Sequence, residues 1–309
     1  MNSRSTRDRV NPEKLNTTPL RRPDWIKVSM PGGETYAWLK ELMQRKELHT
    51  VCEEARCPNM GECWGSGTAT FLVLGDICTR RCGFCDVKRG VPLPLDEEEP
   101  ERVAQAVKAM ELKHAVITSV DRDDDILGGA RIFARIISRI HEEVPGCSVE
   151  VLIPDFRADP EALRLIMAEK PEILNHNVET VPRLYHSVQP QDRHAWSQYV
   201  LTTAKQLQSE GLTKSGIMLG LGETWEELEE TMRELRDWNV DILTIGQYLQ
   251  PSRKHLPIAR YYTLEEFQQL KDYGYSIGFR WVESAPLVRS SYHAAEQVRA
   301  LSKSHFEFL

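Results

Sequence analysis

Residues 70–85 read Thr-Phe-Leu-Val-Leu-Gly-Asp-Ile-Cys-Thr-Arg-Arg-Cys-Gly-Phe-Cys. Thr70–Leu74 is an apolar run of strand length, and Cys78, Cys82 and Cys85 follow it directly. Similar runs recur at Ala115–Val120, Ser148–Pro154, Ile173–Val178, Lys214–Leu219 and Asp241–Tyr248. Between them lie helix-like stretches: Pro100–Leu112, Ala130–Glu143, Asp159–Glu169, Trp196–Ser209 and Thr224–Trp238, with Thr263–Ile277 after the last strand. Asp159-Pro160 and Thr224-Trp225-Glu226-Glu227 carry helix-start signals, a capping side chain followed by proline or by acids in the first turn. Six strand–helix units predict a parallel sheet covered by helices. A closed eight-unit barrel takes about 250 residues, so six units over about 210 predict an α/β fold with an incomplete (β/α)6 TIM-like barrel or a curved open sheet. Sites in such folds lie at the C-terminal strand ends. The cysteines after the first strand therefore fall on the functional face.

Six of the seven cysteines lie between Cys52 and Cys85, in two triplets: Cys52, Cys57 and Cys63, then Cys78, Cys82 and Cys85. Thiolate is a soft ligand suited to iron and zinc. A [4Fe–4S] cube is usually held by four cysteines, so two groups of three point to two cubes, each with one corner for another ligand. Disulfides are the first alternative. MNSRSTRDRVNPEK lacks the apolar core of a secretory signal, and clustered cysteines in a cytoplasmic chain are more often metal-binding or catalytic. Structural zinc is the second, but it usually closes with four paired Cys or His ligands, and no histidine lies between Cys52 and Cys85. Cys147 stands alone before an apolar run and reads as a buried thiol.

The 309 residues suffice for one large α/β domain or two small ones. With 41% hydrophobic residues the chain can build a substantial core, and no apolar run approaches a membrane span. A net charge of −7 argues against nucleic-acid binding of the basic-patch type. Residues 1–30 nevertheless carry seven basic groups against three acidic ones. That arm either guides an acidic partner or is a solvated tail. Three domains are expected: an N-terminal extension 1–67 with the first triplet, the partial barrel 68–278, and a C-terminal extension 279–309. The two extensions should meet, because a three-cysteine cluster in one needs a further ligand from elsewhere.

Cys-x3-Cys-x2-Cys after a first strand, with Phe84 before the third cysteine, resembles the signature of the radical S-adenosylmethionine (SAM) enzymes. The resemblance implies that the cube at Cys78, Cys82 and Cys85 binds SAM through its open iron. Cys52-Glu-Glu-Ala-Arg-Cys57-Pro-Asn-Met-Gly-Glu-Cys63-Trp64 and Arg289-Ser290-Ser291-Tyr292-His293-Ala294 narrow it, since both resemble motifs of the lipoyl synthase family. So do Thr118–Asp124, Asn175–Thr180, Gly220–Thr224 and Gln247–Ser252. The likeness spans about Pro23 to Ala294. It implies that Cys52, Cys57, Cys63 and Ser291 hold an auxiliary [4Fe–4S] cube.

The resemblance implies an enzyme that inserts sulfur at C6 and C8 of an octanoyl chain carried on a protein lysine. SAM-derived radicals would activate the carbons, and the auxiliary cube would supply the sulfur. It also implies partners: octanoylated carrier domains (2-oxoacid dehydrogenase E2 or glycine cleavage H protein), an electron donor such as ferredoxin or flavodoxin, and an iron–sulfur carrier that rebuilds the auxiliary cube. No nucleic acid or membrane is expected, and the setting is cytoplasmic. Two other readings stand beside it. A related sulfur-inserting or methylthio-transferring radical SAM enzyme would share Cys78, Cys82 and Cys85 but not the other two motifs. An iron–sulfur carrier would have no use for a complete barrel.

Ser119, Asn177 and Glu179 are the SAM contacts that the resemblance implies. Asn177 and Glu179 share one strand face and could instead cap the following helix. Asp123-Asp124-Asp125 could be a solvated turn. Gly220 and Gly222 allow close backbone approach to a ligand or form a plain turn. Tyr292 and His293 read most simply as packing for the C-terminal segment.

Overall fold

The computed structural model describes residues 20–28, 30–65 and 69–306. Most of the basic arm and the junction expected at 67/68 lie outside the described residues. The strands are β1 (His49–Thr50), β2 (Thr70–Val73), β3 (Ile77–Cys78), β4 (Lys88–Arg89), β5 (His114–Ser119), β6 (Ser148–Leu152), β7 (Ile173–Asn175), β8 (Leu212–Leu219), β9 (Ile242–Gln247) and β10 (Trp281–Ser284). The helices are α1 (Glu34–Arg45), α2 (Val51–Glu54), α3 (Met60–Gly65), α4 (Glu99–Ala109), α5 (Ile126–Glu143), α6 (Pro160–Ala168), α7 (Tyr185–Val188), α8 (His194–Leu207), α9 (Trp225–Asp237), α10 (Leu264–Ser276) and α11 (Ala294–Phe306).

Among the described residues the main sheet runs β1-β2-β5-β6-β7-β8-β9-β10. Every pairing is parallel except β1 with β2. Spatial order follows chain order, so each helical crossover advances the sheet the same way and the strands curl into a wall. β1 and β10 end the wall without pairing to each other, which leaves an open, partial barrel.

All six expected strands are present, with ends shifted by a few residues. Two more strands of the main sheet, and the short β3–β4 pair, were not read. Trp281–Ser284 is a seventh parallel strand beside β9, within the stretch assigned to the C-terminal extension. Its four residues alternate in burial rather than forming an apolar run. β1 is a two-residue edge too short to show any period. α5 also begins four residues before the expected Ala130, because the Asp125 side chain caps it by accepting the Gly128 N–H at 2.9 Å. The expected starts of α6 and α9 are present. Asp159 accepts the Glu161 and Ala162 N–H groups, and Thr224 with Glu227 forms a capping box.

One core packs Phe71, Val73, Ile117, Val149 and Val151 of the strands against Val103, Val107, Phe133, Ile137 and Ile166 of the helices. A second packs Ile217, Leu243 and Ile245 against Leu228, Met232, Leu235 and Phe267. Each such side chain contributes roughly 1.5–3 kcal/mol on burial. Val298 and Leu301 of α11 pack on Ile173, Leu212, Ile242 and Trp281. These four open β7, β8, β9 and β10, so the last helix covers the N-terminal ends of those strands.

Candidate active site

The CTRRCGFC loop leaves β2, contributes Cys78 to β3, and is tied down from three sides. The Thr79 N–H donates to the Asp121 carbonyl at 3.1 Å, and the Gly83 N–H to the Val188 carbonyl at 2.7 Å. The Leu256 N–H donates to the Gly83 carbonyl at 3.0 Å, and His255 Nε2 lies 3.1 Å from the Cys85 carbonyl oxygen. A Cβ on Gly83 would lie 2.8 Å from Leu256, so the residue between Cys82 and Phe84 has to be small for that loop to close on it. Beneath the loop, Arg80 donates to both oxygens of Asp123 and of Asp155, and it also pairs with Asp192 and Asp121. These partners come from the loops after β5 and β6 and before α8.

The first triplet is carried by α2, the turn after it, and α3. Thr50 caps α2 by accepting the Glu53 N–H. The Cys57 N–H donates to the Cys52 carbonyl at 3.0 Å. This unit meets the C-terminal segment, as expected of the two extensions. Asn59 Nδ2 donates to the Leu287 carbonyl at 2.7 Å, and the Tyr292 hydroxyl donates to Glu62 at 3.0 Å. Tyr292 and His293 stack on each other with centroids 3.9 Å apart, and both also line the cavity, with His293 exposed.

One cavity of about 970 Å³ is lined by all six cysteines of the triplets and by Ser119, Asn177, Glu179, Arg289 and Ser291. No disulfide joins the cysteines. Burial pushes the Cys52 thiol up to about 12, with the Cys57 charge adding to it. Cys78 is also raised to about 12, by burial and by Asp121, and Cys85 to about 11, chiefly by burial. Cys57 and Cys82 are raised mainly by burial as well. Thiolates here therefore need a cation to compensate them, as metal ligands do. Among the described residues no three Cys, His, Asp or Glu side chains are arranged around one metal ion. All three thiols of each triplet line the one cavity, and a cube offers a separate iron corner to each thiolate.

Ser119 ends β5 and Asn177 follows β7. Ser119 Oγ and Asn177 Oδ1 are buried without a protein partner. A buried polar atom left unpaired is costly, and both residues line the cavity, so a ligand could satisfy them. Asn177 Nδ2 donates to Glu179 at 3.0 Å. Neither residue caps the next helical turn, whose N-cap is Val181. Glu179 holds φ 63°, a left-handed conformation that costs about 1–2 kcal/mol in a non-glycine residue. Its N–H donates to the Gly216 carbonyl, and its own carbonyl accepts from Met218, so β8 enforces the bend. Burial raises the Glu179 carboxyl to about 7, against a lowering pull from Asn177 and Arg289.

Gly220 and Gly222 are a turn outside the cavity lining, closed by Glu223, which accepts the Gly220 and Leu221 N–H groups. Asp123, Asp124 and Asp125 form a turn in which Asp124 and Asp125 are exposed, as the solvated-turn reading has it, while their carboxylates pair with Arg80, Arg122 and the Gly128 N–H in turn. Arg80 and its acidic partners were missed. The one signal was a basic residue inside the triplet, and its partners lie 41 to 112 positions away. Cys147 is a buried thiol near the Ser148 carbonyl, as expected.

Residues 72–235 match the family model of the radical SAM superfamily, and residues 2–57 match the N-terminal domain of lipoyl synthase of the radical SAM family. The lipoyl synthase of Rubrobacter xylanophilus is 58% identical over 276 residues, covering 89% of this chain and 86% of that one. That of Koribacter versatilis is 55% identical, over 91% of this chain and 93% of the other. Among solved structures, SuiB of Streptococcus suis bound to S-adenosylmethionine aligns with a TM-score of 0.55 at 12% identity, over 70% of this chain and 50% of that one. Methylornithine synthase (PylB) gives 0.52 at 15% identity, over 71% and 72%. At such identities the likeness shows the fold alone.

Proposed function

The chain belongs to the lipoyl synthase family within the radical SAM superfamily, and from that premise we propose how its residues divide the work. The reaction inserts two sulfur atoms, at C6 and C8 of a protein-bound octanoyl-lysine, to give lipoyl-lysine. Its substrates are lipoyl-carrier proteins. A [4Fe–4S] cluster and SAM belong to this chemistry. When bound, they supply a 5′-deoxyadenosyl radical that removes hydrogen from unactivated carbon, a step beyond any side-chain acid or base.

We assign Cys78, Cys82 and Cys85 to the SAM-binding cluster. Cys52, Cys57, Cys63 and Ser291 are assigned to an auxiliary cluster that is the sulfur source. The observation that carries this reading is the shared cavity: both triplets and Ser291 line it, although Cys52 and Ser291 lie far apart in the chain. Ser291 offers a harder, oxygen ligand beside three soft thiolates, which fits an iron corner meant to be given up. Ser119 Oγ and Asn177 Oδ1 are free to hydrogen-bond the amino-acid end of SAM. Glu179 holds Asn177 in place and accepts from a cationic amine when ionised. The buried walls keep water from the radical.

The functional divisions are the extension 1–67, the barrel 68–278 and the segment 279–309, although the sheet continues into the last through β10. The partners in this reading are octanoylated carrier domains (2-oxoacid dehydrogenase E2 or glycine cleavage H protein), an electron donor such as ferredoxin or flavodoxin, and an iron–sulfur carrier that rebuilds the auxiliary cluster. Among the described residues no helix is long and apolar enough to cross a membrane. The free thiols suit a reducing compartment such as the cytoplasm. Mass spectrometry of an octanoylated carrier domain after anaerobic turnover with SAM and reductant tests the whole reading. Gain of two sulfur atoms is expected, with no hydrogen lost while the product stays a dithiol under reductant and two lost once it is oxidised to the cyclic disulfide. A methylthio adduct, or no change while SAM is cleaved, would overturn it.

A further inference from the structure

Ser291 lies in an irregular segment between β10 and α11. The backbone bonds around it are local: Tyr292 N–H to Arg289 at 2.9 Å and Ala294 N–H to Ser291 at 3.3 Å. Such turns do not by themselves fix a side chain relative to a distant triplet. Gln297, in the first turns of α11, is fully buried. Its Nε2 donates to the Tyr292 carbonyl at 3.1 Å, and its Oε1 accepts from Lys214 Nζ at 2.9 Å. Lys214 is itself fully buried in β8, where Nζ pairs with Glu150 of β6 at 3.0 Å. Glu150 is held in turn by Asn175 of β7 at 2.8 Å and His114 of β5 at 3.4 Å. The anchor thus spans four adjacent strands.

The chemistry of the two partners dictates the residue between them. An ammonium only donates, and a carbonyl only accepts. An amide has one group of each kind, so glutamine bridges them where glutamate or methionine of similar size cannot. The rest of the α11 inner face is apolar, with Val298 and Leu301 packed on the strand starts. An apolar residue at 297 would complete that face without desolvating an amide. We propose that Gln297 is a positioning residue that fixes the Tyr292 carbonyl, one residue after Ser291, to the barrel through Lys214, and so holds the Ser291 hydroxyl at the auxiliary cluster. This rests on the reading of Ser291 as a ligand given above.

The test compares the full-length wild-type chain with Gln297→Glu, Gln297→Met and Ser291→Ala. In the metal-free protein, amide hydrogen exchange over 288–297 should speed up roughly tenfold in both Gln297 variants, as loss of one buried hydrogen bond implies. The barrel strands and Ser291→Ala should stay as in wild type. In iron-loaded protein, the Mössbauer signature of the auxiliary cluster in both Gln297 variants should shift to that of Ser291→Ala. Lipoyl formation should fall about tenfold, while SAM cleavage persists and reports an intact barrel. Wild-type exchange and spectra in Gln297→Glu, beside an altered Ser291→Ala spectrum, would overturn the positioning role alone. A wild-type spectrum in Ser291→Ala would overturn the ligand reading and the positioning role together.

Discussion

Arg80 brings one positive charge into a buried place where Asp121, Asp123, Asp155 and Asp192 converge. Burial raises Asp192 to about 7 and Asp121 to about 6, even though Arg80 pulls both down. Only a planar fork with several donors can serve carboxylates on different sides at once. Arg80→Lys keeps the charge but leaves oxygens unpaired. Its expected cost is about 1–3 kcal/mol, the penalty for stranded buried acceptors. Iron at Cys78, Cys82 and Cys85 should become labile, because the Arg80 side chain ties the cysteine loop to Asp123 and Asp155 in the loops after β5 and β6. Thermal melts and iron release into a chelator check this, and an unchanged melting temperature would count against it. The sequence displays the two triplets because ligand spacing is local. It does not display Arg80's partners, because only the folded loops after β5 and β6 bring them within reach. For the same reason Ser291 came from family likeness rather than from any pattern near Cys52.

At the scale of elements, the strands most legible in the sequence are those buried on both faces, such as β9, whose six residues are all buried. They read as continuous apolar runs. β10, with alternate burial, and the capped start of α5, with its Gly128-Gly129 pair, do not show such runs, so their limits were hidden. The start of α4 illustrates a cost that no pattern shows. Glu99 opens the helix, and its buried carboxylate accepts the Leu74 N–H at 2.9 Å, fastening α4 to the end of β2. Burial raises its carboxyl to about 7, outweighing the Leu74 bond and Arg102. An unfolded glutamate titrates near ~4.3, so between about pH 4.3 and 7 the folded chain keeps a proton that the unfolded chain releases. Stability contributed by this group is therefore full below that window and is lost as pH rises through it. Glu99→Gln keeps an acceptor for Leu74 and removes the ionisation. It should flatten that slope and gain on the order of 1 kcal/mol at pH 8. Urea unfolding at pH 5 and pH 8 gives the comparison. A variant with the wild-type slope would show that Glu99 does not carry this titration.

At the scale of the whole molecule, the α2–α3 unit before β2 and the segment after β10 close over one cavity, and that arrangement makes a quantitative claim. Six thiols and Ser291 face the same space, held by contacts as distant in sequence as Asn59 with Leu287 and Glu62 with Tyr292. If each triplet holds a cube, anaerobic reconstitution should load about eight iron and eight sulfide per chain. Replacing Cys78, Cys82 and Cys85 with alanine should leave about four iron and no cleavage of SAM. Replacing Cys52, Cys57 and Cys63 should also leave about four. SAM cleavage should then remain measurable while no lipoyl product forms, because the radical source and the sulfur source are separate groups in one cavity. The two variants are informative only as a pair, since either alone could reflect general damage. Each retains the half of the chemistry that the other loses, and misfolding does not divide a reaction in that way. Stoichiometric zinc, about four iron in the unaltered chain, or lipoyl product from the first-triplet variant would each defeat the assignment of two clusters with divided roles.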